Sequence, residues 1–171
     1  MKRAVNLLMF VVLVSSAAAA ERDSLRTRPW RPPTAAELGS PQEQQWRADN
    51  PQHYLVVAGD FDGDGKPDEA RLVVRGDGKA FALLVRLAAR DSAVKLDEFP
   101  DMWMLPVIGI RRVAPDTYPT ACARGLDCAE DEPRYIHVKH DAVDFFKYDS
   151  ANTYYYWNES RHGFTRAGIT D

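Results

Sequence analysis

The stretch between residues 54 and 75 constrains the fold most, because a loop rich in aspartate and glycine separates two short apolar segments there. The segments 54–58 and 70–75 each contain two valines and have the length of ordinary β-strands. A Gly-Asp-Gly sequence at 76–78 then leads into a third apolar segment, 80–87, as expected for a hairpin turn. These residues predict antiparallel strands connected by short loops.

Further short strand candidates follow toward the C-terminus, with no helical pattern between them. They are 106–113, 135–140, 142–148, 153–157 and 164–170. Closely spaced short strands favour antiparallel pairing, since parallel strands need longer crossover connections. We therefore predict a mainly β fold. It would be a small antiparallel β-meander in a single domain, propeller-blade-like or sandwich-like, with short N-terminal helices.

The short helices are predicted from two capping boxes, in which a Thr or Ser is followed three residues later by Glu. Residues 34–37 form the first box and residues 40–43 the second, with Pro41 at the favoured first helical position. We expect the second helix to run to about Ala48 and to stop before Asn50 and Pro51.

The first twenty residues have the three parts of a secretory signal peptide. Lys2 and Arg3 give a positive start, residues 7–14 form an apolar core, and Ala18 and Ala20 supply the small residues of a cleavage site. The apolar core is shorter than the roughly 20 residues that span a membrane. We expect cleavage after Ala20, a periplasmic or secreted protein, and no membrane association after the signal is removed.

The predicted organisation has three parts: a signal peptide at 1–20, an N-terminal arm with short helices at 21–52, and a β-rich domain with one Ca²⁺ loop at 53–171. The sequence has 22 Lys and Arg against 25 Asp and Glu, a formal net charge of −3. It contains no basic run or stripe, which argues against nucleic acid and anionic membrane surfaces as partners.

The sequence has two cysteines, Cys122 and Cys128, which lie close together. In an exported chain such a pair predicts a disulfide. The alternative is a redox or metal pair, but the spacing is not that of a C-x-x-C motif and no second cysteine pair exists. We therefore expect a structural disulfide.

The loop carries the clearest chemical pattern in the chain. Its aspartates occupy positions 1, 3, 5 and 9: Asp60, Asp62, Asp64 and Asp68. Alternate residues of a tightly wound loop converge on one point, Gly65 allows a sharp turn, and Lys66 offers its backbone carbonyl. Oxygen ligands of this kind suit Ca²⁺, whereas softer metals favour His or Cys. The alternative is a solvated acidic turn, in which four carboxylates without a cation would repel one another.

The sequence Gly-Asp-Phe-Asp-Gly-Asp-Gly-Lys-Pro-Asp at 59–68 resembles the EF-hand-like calcium loops of FG-GAP and VCBS repeats. It is not a full EF-hand, because position 12 is Arg71 and a strand pattern follows. The resemblance covers about 54–74. It implies a loop between neighbouring strands of a propeller blade, with Ca²⁺ bound by the four aspartates and the Lys66 carbonyl. The chain is also similar to uncharacterised exported proteins of proteobacteria that pair such a loop with an aromatic C-terminal hairpin.

The predicted C-terminal hairpin is rich in aromatic residues. Tyr155 and Trp157 are two positions apart and lie on one face of a strand, where they are candidates for a surface that binds protein or sugar. The alternative is that these rings pair with aromatic residues of a neighbouring strand and stabilise the sheet.

The sequence contains no motif of a known catalytic centre, and His137 and His140 lack the context of a metal or acid–base site. We therefore expect a non-enzymatic calcium-binding module whose partner is a periplasmic protein or a cell-wall glycan. Some bacterial immunity proteins combine export with similar calcium loops, and this resemblance suggests an inhibitor of a secreted toxin. Carbohydrate or peptidoglycan binding is one alternative, and an uncharacterised hydrolase is another.

Overall fold

The computed structural model describes residues 30–48, 54–90, 93–126 and 132–170. These residues form eleven strands: β1 (Trp30–Arg31), β2 (Val56–Gly59), β3 (Asp68–Arg75), β4 (Phe81–Arg86), β5 (Ala93–Phe99), β6 (Ile108–Val113), β7 (Asp116–Pro119), β8 (Tyr135–Val138), β9 (Ala142–Lys147), β10 (Asn152–Asn158) and β11 (Gly163–Thr170). Short 3₁₀ helices span Gln45–Arg47, Met102–Val107 and Ala121–Arg124. Across the described ranges, the helices fall short of the length and hydropathy needed to cross a membrane.

The strands form two main antiparallel sheets and a small hairpin. The first sheet has the order β1-β3-β4-β5, with β2 also paired to β3, and the second has the order β11-β10-β9-β6. β7 and β8 form a separate two-stranded sheet. The predicted mainly β, antiparallel fold is confirmed.

One apolar core joins the two main sheets. Because neighbouring residues of a strand point to opposite faces, each strand contributes alternate side chains to it. The first sheet contributes Leu72, Val74, Phe81, Leu83 and Val85, and the second contributes Ile108, Ile110, Val143, Phe145 and Tyr155. The Ile110 N–H also donates to the Tyr54 carbonyl at 3.0 Å, so the chain entering β2 is tied to β6.

The second sheet is also covered on its other face. The β7–β8 hairpin lies there and buries a smaller apolar cluster formed by Val113, Ile136, Val138, Ala142, Ala167 and Ile169. A sheet that is buried on both faces needs apolar residues at successive positions, which explains the nearly continuous burial of β9.

Both predicted capping boxes form, but each caps only a short turn. The Thr34 N–H donates to Glu37 Oε2 at 2.8 Å, and the Ser40 N–H donates to Glu43 Oε2 at 2.7 Å. The hydrogen bond from the Arg31 guanidinium lowers the pKa of Glu37 to about 2, and the Thr34 contacts contribute to the same shift to a smaller extent. The predicted helix to Ala48 is reduced to a turn and the 3₁₀ helix Gln45–Arg47, since so short a segment gains little from helical hydrogen bonds alone.

Part of the predicted N-terminal arm belongs to the packed structure. β1 pairs with the end of β3, and Arg47 is buried, with its Nη2 donating to the Leu105 carbonyl at 2.9 Å. Burial lowers the pKa of Arg47 to about 10. These contacts fix the segment before β2 against the segment before β6.

Two other sequence predictions involve residues outside the described part of the chain. Cys122 lies in the 3₁₀ helix Ala121–Arg124 and is not a free thiol, while Cys128 lies outside the described residues. The disulfide therefore stays a prediction. The signal peptide predicted at 1–20 also lies outside the described residues.

Candidate metal centre

The loop between β2 and β3 is wound by its own aspartate side chains. Asp60 accepts the N–H groups of Gly63 and Gly65, one on each carboxylate oxygen, at 2.9 and 3.0 Å. Asp62 accepts the Asp64 N–H in the same manner at 3.2 Å. Gly63 and Gly65 have φ angles of +77° and +79°, in the left-handed region that favours glycine. The sharp turn predicted at Gly65 is thus present.

Asp68 ends the loop and anchors it to the core. Its side chain is 2 % exposed, Oδ2 accepts the Phe61 N–H at 2.8 Å, and Oδ1 accepts the Ala88 N–H at 2.7 Å. Phe61 is fully buried in the main core. The carboxylate therefore holds the start of β3, the loop and the segment after β4 in one place.

Three aspartates converge on a single point. Asp60, Asp62 and Asp68 each offer one carboxylate oxygen, and these oxygens all lie within 4.8 Å of one another. Oxygens that bind one Ca²⁺ at about 2.4 Å can be at most about 4.8 Å apart, so the spacing fits a shared ion. This group could hold a metal ion.

The electrostatics of the group also fit a cation. Burial raises the pKa of Asp62 above its usual range, and the nearby charges of Asp68, Asp64 and Asp60 raise it further. The same charges that disfavour ionisation of Asp62 would attract a hard cation.

The remaining predicted ligands, Asp64 and Lys66, are not part of the converging group. Asp64 Oδ1 accepts the Lys66 N–H at 2.8 Å, and Asp64 Oδ2 lies 3.5 Å from Lys66 Nζ. Of the four aspartates in the pattern, the structure brings three together. Ligation by Asp64 and by the Lys66 carbonyl stays a prediction.

The loop is docked on the second sheet by residues that the sequence pattern did not reveal. The Asp60 N–H donates to Asp141 Oδ2 at 3.0 Å, and the Asp141 N–H donates to the Asp60 carbonyl at 3.1 Å. His140 packs against Gly63 so closely that a Cβ there would lie 2.3 Å from the imidazole ring. His140 Nε2 is also 2.6 Å from Glu159 Oε1. The sequence placed His140 at the end of one predicted strand, 135–140, and Asp141 just before the next, 142–148, which did not indicate a contact with the loop.

The two residues proposed for an aromatic binding surface, Tyr155 and Trp157, both pack against the main core. Tyr155 is 4 % exposed, its hydroxyl donates to Asp97 Oδ2 at 2.9 Å, and burial raises its pKa to about 12. This face of β10 packs into the core and exposes little of the Tyr155 ring, so the role of Tyr155 in a binding surface stays a prediction. Trp157 is half-buried and lies edge-to-face with Phe164, its partner on β11, with 5.4 Å between ring centroids. Cross-strand aromatic pairing therefore accounts for Trp157.

Comparisons with protein-family models, with curated proteins and with solved structures find no match to this chain. The resemblance of the loop to FG-GAP and VCBS repeats therefore stays a prediction.

The two glycines with positive φ provide a test of how the loop is docked. Gly65→Ala should lower the free energy of unfolding by about 1 kcal/mol, because nothing surrounds the added methyl group and only the backbone is strained. Gly63→Ala should lower it by about 3 kcal/mol, because the methyl group also overlaps the His140 ring. Urea unfolding of the two variants measures both values. In a His140→Ala background the cost of Gly63→Ala should fall to that of Gly65→Ala, and equal costs in the parent protein would contradict the docked geometry.

Proposed function

We propose that the loop from Asp60 to Asp68 binds one Ca²⁺ ion. The convergence of the Asp60, Asp62 and Asp68 carboxylates within 4.8 Å supports this proposal most directly. Asp64 and the Lys66 carbonyl lie next to the group in sequence and would raise the number of ligating residues to about five, toward the roughly 6–8 oxygens that Ca²⁺ takes. Mg²⁺ fits less well, because it requires a smaller and more regular octahedron.

The proposed role of the ion is structural. Asp60 contributes a carboxylate to the candidate metal group and, through its backbone, exchanges hydrogen bonds with Asp141, which immediately precedes β9 of the second sheet. An ion held there offsets the repulsion among the carboxylates and keeps the loop wound in the form that contacts Asp141. Ca²⁺ binding should therefore stabilise the folded domain by mass action.

The test compares Asp62→Asn with Asp68→Asn. Calorimetric titration of the parent protein should show one Ca²⁺ ion, and melting should occur at a higher temperature in Ca²⁺ than in chelator. Asp62→Asn should lose the binding but melt in chelator no lower than the parent, because it removes a repelling charge. Asp68→Asn should lose the binding and also be destabilised in chelator by about 1–3 kcal/mol, because one of its two buried N–H contacts loses its acceptor.

Asp101→Asn is the matched control, since Asp101 is exposed and lies outside the loop. This substitution removes one negative charge, as Asp62→Asn and Asp68→Asn do. This variant should bind Ca²⁺ as the parent does. No heat of binding up to millimolar Ca²⁺, or undiminished binding in Asp62→Asn, would contradict the proposed site.

A second proposal concerns the wider role of the domain as an exported, non-enzymatic binding module. Exposed aromatic side chains support it: Trp103 is 68 % exposed and Tyr148 is 52 % exposed. Such rings are enriched at sites of protein recognition, and an inhibitor of a secreted toxin is one role of this kind. A cell-wall glycan is the alternative partner, and Trp157 would be the residue that contacts it. The half-buried Trp157 exposes a smaller fraction of its surface than Trp103 or Tyr148. Mass measurement of the chain recovered from the periplasm tests export, since removal of the signal leaves Glu21 as the first residue.

A further inference from the structure

The two main sheets end in free strands that face a common cleft. β5 is the last strand of the first sheet and β11 the last strand of the second. Between them lies a cleft of about 340 Å³, lined by Val94, Lys95, Leu96, Asp97, Tyr155, Phe164, Thr165 and Arg166. The cleft is therefore formed by two strand edges together with side chains of the adjoining core.

Only side chains connect β5 to β11 among the described residues. Asp97 Oδ2 accepts a hydrogen bond from Arg166 Nη1 at 2.5 Å and one from the Tyr155 hydroxyl at 2.9 Å. The strand pairings of the described chain include no backbone ladder between β5 and β11. Each strand thus presents to the cleft an edge of backbone N–H and C=O groups that could accept another strand.

β11 is the more regular of the two edges beside the cleft. It pairs with β10 without interruption from Gly163 to Gly168, and its own register shift, at Ile169, lies beyond the residues that line the cleft. In β5, by contrast, the register with β4 shifts between Lys95 and Asp97, which leaves Leu96 as an extra residue in the strand. A bulge of this kind disrupts the hydrogen-bonding edge. A new strand would therefore pair with β11, and β5 would contribute side chains to the opposite wall.

Cations outnumber carboxylates around the cleft. Lys95 and Arg166 line it, and Arg90 lies over the Trp157 ring with 5.8 Å to the centroid. Asp97 pairs with Arg166, and Glu98 pairs with Lys95 and with Arg75. Arg75 also pairs with Asp77, so the excess among these side chains is one positive charge. This local excess of positive charge occurs in a chain whose formal net charge is −3.

We propose that the cleft binds an extended, acidic segment of a partner protein, which adds to the edge of β11. The apolar side chains of Val94, Leu96 and Phe164 would contact alternate residues of that segment, and Lys95 and Arg166 would meet its carboxylates. A second copy of this chain is a poor occupant, because pairing of β11 with itself brings Arg166 and its counterpart close together. The proposal rests on the binding role proposed above, and it does not depend on Ca²⁺.

A phage-displayed library of random heptapeptides, selected on the full chain in Ca²⁺, tests the cleft. Selected peptides should be enriched in Asp and Glu that alternate with Val, Ile or aromatic residues. Synthetic copies should bind at least tenfold more weakly to Arg166→Gln and to Lys95→Gln, as measured by fluorescence anisotropy. Arg134→Gln is the matched control, because Arg134 is exposed and lies beside β8, and it should change affinity less than twofold.

Amide hydrogen exchange then locates the bound peptide. Slower exchange in β11 on peptide binding is expected, since the added strand would accept its outward N–H groups. The proposal would be overturned if the selection yielded no binders, or if the binders were not enriched in acidic residues. Equal affinity for a folded Arg166→Gln variant, or protection confined to the region of Trp103, would also overturn it. Because Ca²⁺ titration is a separate measurement, failure of the cleft and failure of the metal site are distinguishable.

Discussion

Two hydrogen bonds join Asp60, which follows β2 of the first sheet, to Asp141, which precedes β9 of the second. The Asp60 N–H donates to the Asp141 carboxylate, and the Asp141 N–H donates to the Asp60 carbonyl. Asp60 also winds the loop through the amides of Gly63 and Gly65. One residue therefore sets the conformation of the loop and its attachment to β9, and the candidate metal group depends on both.

The carboxylates of the loop are held close together despite their mutual repulsion. Backbone N–H donors partly offset this repulsion, since Asp60, Asp62 and Asp68 each accept at least one such hydrogen bond. The raised pKa of Asp62 shows that burial and neighbouring charges still disfavour its ionised form. A bound cation would reverse this effect at the centre of the group. In this view the loop is the element through which an ion in solution strengthens the contact between the two sheets.

The sequence pattern could predict what depends on local spacing. The short apolar segments on either side of the Gly-Asp-Gly turn identified β3 and β4, and the Asp-x-Asp-x-Asp-Gly spacing identified the loop. The same reasoning could not find the contacts of His140 and Asp141 with the loop, because these residues are about 80 positions away and only tertiary packing brings them together. It also could not choose between an exposed and a packed Tyr155, since strand alternation shows which residues share a face but not which face is buried. The β7–β8 hairpin covers the face of the second sheet that is turned away from the main core, so little of that sheet is exposed to solvent.

Amide hydrogen exchange at Asp141, measured in Ca²⁺ and in chelator, tests the central claim that the metal loop fastens the two sheets together. Exchange of the Asp141 N–H should slow in Ca²⁺ together with that of Gly63 and Gly65, because the Asp60 carbonyl that it contacts would be held in place. The Thr120 N–H, which donates to the Arg134 carbonyl at 3.0 Å away from the loop, is the reference amide. Slower exchange at the two glycines with no change at Asp141 would contradict the account, because the ion would then order the loop without strengthening its contact with the second sheet.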